Sequence, residues 1–209
     1  MAIDSYDNLK AAIVDWSHRN DLTPSRLDQF IDLAEEAMFS SHVMPLELRQ
    51  IETSSELTAS TSSRSLALPS DYLDMRRLKV NLSGGDCGIK YLTPEQLPFS
   101  GASGRPRFFT ITDQIEFDRT PDSAYTIEIQ YYAKPTALSD ANTTNVILTN
   151  HPKIYLHGAL AHLYQWSMQP DQAEYHESKF QLAIRGANKL HKRGRYGPAP
   201  KIRIEGPTP

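Results

Sequence analysis

Cysteine is nearly missing from this chain: Cys87 stands alone in 209 residues. No intrachain disulfide can form, and a thiolate-rich zinc site is excluded. Long apolar runs are missing too. No stretch reaches the roughly 18 residues that a membrane-spanning helix needs. The first residues, Met1-Ala2-Ile3-Asp4-Ser5-Tyr6-Asp7, carry no basic cluster and no apolar core, so they do not read as a secretory signal. The expectation is a protein made and kept in the cytoplasm before any assembly. No glycine-rich phosphate loop or dinucleotide fingerprint occurs, because Gly84-Gly85-Asp86-Cys87-Gly88 is too short and reads as a turn. Neither a Gly-x-Ser-x-Gly nor a His-Glu-x-x-His string is found.

What is present is ordinary in amount and uneven in placement. A hydrophobic content of 39% with 22% charged residues suits a globular chain with a real core. Residues 151–209 hold nine Lys/Arg against four Asp/Glu, a net of +5, while residues 1–150 hold thirteen against twenty-one, a net of −8. An acidic body and a basic end suggest two kinds of neighbour.

Two helices open the sequence. Tyr6, Leu9, Ile13 and Trp16 recur on one helical face, with Asp4 or Ser5 available as N-cap and Asn20-Asp21 as the break. Thr23-Pro24 starts a second helix, since proline at the first helical position forfeits no hydrogen bond. Leu27, Phe30, Ile31, Ala34, Ala37 and Met38 mark its buried face, and it should end near Ser40–His42, before Pro45.

The period then shortens. Ser60-Thr61-Ser62-Ser63 reads as a turn between strands, and Arg64–Leu68 alternates up to Pro69. Arg77–Leu82 and Ile89–Leu92 flank a glycine turn. Phe108–Thr112 and Ile115–Asp118 flank a tight one at Asp113-Gln114. Tyr125, Ile127, Ile129 and Tyr131 alternate cleanly, which buries one strand face. Six to eight short antiparallel strands are expected.

Helices return at Asn150-His151-Pro152. Ile154–Trp166 is apolar nearly all round, as a central helix should be, and Pro170 should break it. A last helix is expected from about Asp171 to Arg193. Phe180, Ala183, Ile184, Ala187 and Leu190 would be buried and Gly194 would act as C-cap. The predicted architecture is α+β: an antiparallel helical bundle built from the N- and C-terminal helix pairs (1–45 and 137–194), an inserted antiparallel β domain (46–136), and an extended C-terminal tail (195–209).

Residues 195–209 cannot form a core of their own. Fixing their backbone costs on the order of 1–2 kcal/mol per residue, and burying Ile202 and Ile204 returns only about 1.5–3 kcal/mol each. Lys201-Ile202-Arg203-Ile204-Glu205 alternates with period two and could add as a strand to a partner's sheet edge. Arg195, Tyr196, Pro198, Lys201, Ile202, Arg203 and Ile204 are therefore the candidate partner-docking set. Arg185, Lys189, Lys192 and Arg193 are candidate phosphate or partner contacts.

Catalytic and metal readings are weaker. His157 and His162 are five apart, about 140° around a helix, so they do not share a face. His151 reads as a cap neighbour and His157 as a core or interface residue. Glu35 and Glu36 point about 100° apart and are expected on a solvated face, so they make a poor acid–base pair. No catalytic residue, metal or cofactor is expected.

Several strings together resemble the head-to-tail adaptor (connector) family of short-tailed bacteriophages. They are Leu68-Pro69-Ser70-Asp71-Tyr72-Leu73 with Arg76-Arg77-Leu78, Thr93-Pro94-Glu95-Gln96, Gly104-Arg105-Pro106-Arg107-Phe108-Phe109-Thr110-Ile111, Tyr131-Tyr132-Ala133-Lys134-Pro135, and Tyr155-Leu156-His157-Gly158-Ala159-Leu160. In order, they run from Leu68 to Leu160, and the resemblance extends over about residues 6–190. The resemblance implies a non-enzymatic virion protein at the head-to-tail junction, assembled as a twelve-fold ring under the portal. Its partners would be the portal protein, a tail nozzle or tube protein and copies of itself, with double-stranded DNA passing through the channel. A membrane is not among them. Two other readings are weighed: a carboxylate-based cell-wall hydrolase carried in the tail, and a DNA-contacting packaging factor.

Overall fold

The computed structural model describes residues 2–40, 45–82, 85, 87–99 and 101–196; for Arg49 and residues 191–196 it describes the backbone alone. Helices and sheets are both present, and the chain is α+β. It divides into two compact units, one of residues 1–50 with 135–209 and one of residues 51–134.

The first unit is helical. Helix α1 (Tyr6–Ser17) is capped by Ser5, whose side chain accepts the Asn8 N–H. His18 closes it at a left-handed φ of 52°. Tyr6, Leu9 and Ile13 are buried, but Trp16 is 51% exposed. It lies at the helix end with its ring edge-on to His157, so it covers one neighbour and leaves half its surface outside. Helix α2 (Pro24–Ser40) starts at the Thr23-Pro24 signal and buries Leu27, Phe30, Ile31, Ala34 and Met38. Tyr6 ties the two helices by donating its hydroxyl proton to Asp28 at 2.6 Å.

The loop after residue 135 contains a short helix, α3 (Val146–Asn150), that periodicity does not reveal in so few residues. Asn145 caps it, accepting from the N–H groups of Ile147 and Leu148. Helix α4 (Pro152–Trp166) buries nine of its residues and packs on α2, α1 and α3. Gly158 sits at a close approach of α4 to α2 and α5: a Cβ there would lie 2.9 Å from Ala34 Cβ and 3.1 Å from the Phe180 ring. Glycine is what allows three side-chain layers to meet at this point.

Helix α5 (Pro170–Tyr196) packs extensively on α4. Pro170 opens it rather than breaking the preceding helix, which ends at Ser167 and the left-handed Met168. Ala173, His176, Phe180, Ile184, Ala187 and Asn188 face inward, and Leu190 is 63% exposed. Asn188 explains the shift of the buried arc. Its Oδ1 accepts the Glu47 N–H and its Nδ2 donates to the Pro45 carbonyl, so a polar residue is drawn to the inner face. Gly194 is not a C-cap, because the helix continues to Tyr196. One interior glycine costs about 1 kcal/mol, which good helix formers on either side can offset. Arg195 and Tyr196 are thus the last helical residues and not the start of an extended segment.

The second unit holds two four-stranded sheets built from β1 (Glu52–Thr58), β2 (Ser65–Ala67), β3 (Tyr72–Asn81), β4 (Cys87–Gly88), β5 (Lys90–Tyr91), β6 (Phe108–Ile111), β7 (Gln114–Phe117) and β8 (Thr126–Ala133). One sheet runs β1-β8-β3-β4 and the other β2-β7-β6-β5. The Ser60–Ser63 turn therefore joins strands of different sheets. Ile89–Leu92 is not one strand. The chain crosses between sheets at Ile89, whose N–H bonds to the Leu78 carbonyl, and β5 then pairs parallel to β6. The unit is mixed, not wholly antiparallel. Gly85, at φ 119°, supplies the turn before β4.

Alternation along β8 places Ile127, Ile129 and Tyr131 in one core with Leu78, Val80, Phe109, Ile115 and Phe117. Asp118 is the polar residue that closes this core. It is 1% exposed, and one oxygen accepts the Arg107 and Phe108 N–H groups while the other takes Arg119 Nε at 2.9 Å.

Candidate partner-binding surfaces

The buried polar groups of the helical unit are structural in geometry. Glu35 is not on a solvated face: it is buried, and Oε1 accepts the Leu138 N–H at 2.9 Å and the Tyr155 hydroxyl at 2.8 Å. Glu36 is exposed. Tyr155 also accepts from Asn145, and burial beside the Glu35 carboxylate raises its pKa far above the ordinary phenol value. The carboxylate thus pins the loop at Leu138 to α2 and α4.

His157 meets a partner that spacing along one helix could not reveal. Its Nδ1 lies 3.0 Å from Nδ1 of His176 on α5. Tyr164 stacks on His176 and Trp16 meets His157 edge-on. Only one ring can donate across such a contact, so both must be neutral or one singly charged. Burial lowers both pKa values, His157 to about 4, with the second ring and the Lys179 and Lys153 charges adding to it. His151 sits at the N-cap of α4 without capping it through its side chain, and burial lowers its pKa. Among the described residues no three His, Cys, Asp or Glu side chains gather to hold a metal.

Three surface depressions hold few acids. The first, about 520 Å³ in the β unit, contains one carboxylate, Asp74, among Tyr72, Met75, Tyr91, Phe109 and Ile111. A second beside α1 contains one, Asp15. The third holds Glu174 and Glu177, one turn apart on the same helix. Carboxylates so placed do not flank a bond from opposite sides, as glycoside hydrolysis requires.

Exposed surface is more informative. On α5, Tyr175 and Leu182 lie outward, with Arg185 and Lys189 exposed beside them. The basic set read from sequence therefore begins on a helix surface. Lys192, Arg193, Arg195 and Tyr196 follow on its last turns, and only their backbone is described. Pro198, Lys201, Ile202, Arg203 and Ile204 lie outside the described residues. At the other end of α4, Trp166 carries the Arg19 and Arg26 guanidinium groups at 5.2 and 4.7 Å from its ring. Met168 next to it is 86% exposed at φ 55°. Sequence reasoning missed this tip, although a Trp-Ser-Met run before a proline was a readable signal.

Exposed apolar side chains thus stand beside basic groups at both places, and among the described residues no metal-binding cluster accompanies them. A family model described as SU10 adaptor protein matches residues 4–202. The chain belongs to this phage head-to-tail adaptor family. The match reaches beyond the strings that first suggested it and takes in both terminal helix pairs and the β unit. No curated protein matches the adaptor. Family membership assigns it a structural role at the head–tail junction of a virion. No helix among the described residues is long and apolar enough to cross a membrane.

Proposed function

We propose that this adaptor is the repeating subunit of a ring, twelve copies in number, that joins the portal to the tail nozzle or tube and surrounds the DNA passage. In this reading the terminal helices act as one antiparallel bundle, the β unit faces the tail, and the basic end of α5 with its extended tail faces the portal. Assembly takes place in the host cytoplasm, and the ring later serves genome ejection. The carrying observation is the family match along nearly the whole chain. The charge order supports it, because the basic C-terminal part of the chain ends in residues 195–209, which cannot supply a core of their own.

Arg195, Tyr196, Pro198, Lys201, Ile202, Arg203 and Ile204 would dock on the portal, with the isoleucines filling alternate pockets along a sheet edge. Lys192 and Arg193 would contact the portal or DNA phosphates. A ring closes only if each copy offers two different surfaces, one to each neighbour. Many weak contacts around it then add in avidity.

The test removes residues 197–209, which leaves α5 whole. The truncated protein should retain its helical circular dichroism and lose binding to purified portal in sedimentation. Portal binding equal to that of the full chain would refute the docking role of the tail.

A further inference from the structure

We propose that two helical faces of this adaptor recognise each other in neighbouring copies: the acidic outward face of α2 and the basic outward face of α5. The inference rests on the ring reading and names the surfaces that would build it.

The observation is a segregation of charge. From Leu27 to Ser40, α2 carries Asp28, Asp32, Glu35 and Glu36 and no lysine or arginine. Asp28 is engaged by Tyr6 and Lys10, and Glu35 is buried. Asp32 and Glu36 remain, one turn apart on the exposed surface, with Leu33 between them 44% exposed. From Ser178 to Leu190, α5 carries Lys179, Arg185 and Lys189 and no acid. Arg185 and Lys189 are exposed and follow Leu182, which is 58% exposed, on the same helical face. Among the described residues Asp32, Glu36, Arg185 and Lys189 form no ion pair within the chain.

Each face is thus a leucine bordered by charges of one sign, and the signs are opposite. A face of this kind repels its own copy and attracts the other. Self-pairing of either face, which would give a closed two-fold dimer, is disfavoured by like charge. Pairing of α2 with α5 uses two different surfaces on each molecule. A reciprocated pair would stop at a two-fold dimer, whereas one contact per neighbour propagates from copy to copy and closes as a ring where the rotation permits. Both helices pack on α4, which sets one angle between the two faces within each copy. A constant angle per copy is what closure demands.

The experiment uses the full chain with Cys87→Ser to remove its native thiol. Leu33→Cys and Leu182→Cys are introduced together and singly, and each protein is treated with a short bismaleimide after mixing with purified portal. The double variant should give a ladder of multimers, while each single variant stays monomeric. Dimers from a single variant would show self-pairing of one face and overturn the proposal. So would the absence of a ladder from an assembly whose mass contains several copies, in which case the ring reading survives and this interface does not. An assembly holding one copy only would overturn both.

Charge reversal gives an independent arm. Asp32→Lys with Glu36→Lys, or Arg185→Glu with Lys189→Glu, should each weaken assembly at least about tenfold, and an equimolar mixture of the two variants should recover mixed pairs. If the α5 reversal leaves assembly intact and instead removes salt-sensitive DNA binding, the basic face serves phosphates and the proposal fails.

Discussion

Replacing Gly158 with alanine tests how the helical unit is packed. The added Cβ would lie 2.9 Å from Ala34 Cβ and 3.1–3.2 Å from two ring carbons of Phe180. Ordinary carbon contacts begin near 3.5 Å, so the helices must part by about half an ångström or more. Ala34 cannot swing away, because its Cβ is fixed to the α2 backbone. Phe180 is itself fully buried and has little room to turn. Overpacking of this kind costs about 1–3 kcal/mol, and obstruction from two helices at once places it near the upper end. Alanine also has a better helix propensity than glycine, which returns about 1 kcal/mol. The net expectation is a loss of about 2 kcal/mol, or a Tm lower by about 4–8 °C for a chain of this length.

The assay is urea unfolding followed by far-ultraviolet circular dichroism, in a cycle with Ala34→Gly. Ala34→Gly alone should cost about 2 kcal/mol through its lost methyl and its helix propensity. It also removes the nearest obstruction, so the double variant should be at least about 1 kcal/mol more stable than additivity predicts. Gly158→Ala with wild-type stability or better, together with an additive double variant, would refute the close approach of α4 to α2.

In the β unit, Asp118→Ala removes the acceptor for two backbone N–H groups and the partner of Arg119, and should cost about 3–4 kcal/mol. Hydrogen exchange should show lost protection at Arg107 and Phe108, and intact protection there would contradict the assigned role. The histidine pair predicts a pH dependence. His157 has its folded pKa lowered from 6.5 to about 4, so the unfolded chain binds the proton more readily. This contribution to stability is complete above about pH 6.5 and is lost as the pH falls towards 4. For a half-buried ring, screening by solvent trims it to about 1–2 kcal/mol, well under the full value of the shift. His157→Phe should flatten this part of the stability–pH curve, and an unchanged slope would refute the assignment.

Much of the fold was legible because it is written in local patterns. Thr23-Pro24 starts α2, Ser5 caps α1, and the alternation Ile127, Ile129, Tyr131 gives β8 its buried face. Apolar residues all round Ile154–Trp166 mark the central helix. The family was legible from ordered strings in the same way, since most of them fall at turns and strand ends and the last lies in the central helix. What failed did so where a distant partner changed the outcome. Asn188 displaces Leu190 from the buried arc because residues 45–47 present an N–H and a carbonyl to it. Glu35 is buried because Leu138 and Tyr155 bring donors from more than a hundred residues away.

The surfaces divide along the same line. Sequence alone fixed the sign of charge along α2 and α5, the basic character of the C-terminal end, and the missing catalytic motifs, because these depend on residue identity at short spacing. Only the tertiary structure decided which charges face outward unpaired, that His157 meets His176, and that Gly158 must be small. Each of these depends on contacts between segments far apart in the chain, and no window of sequence carries their distance.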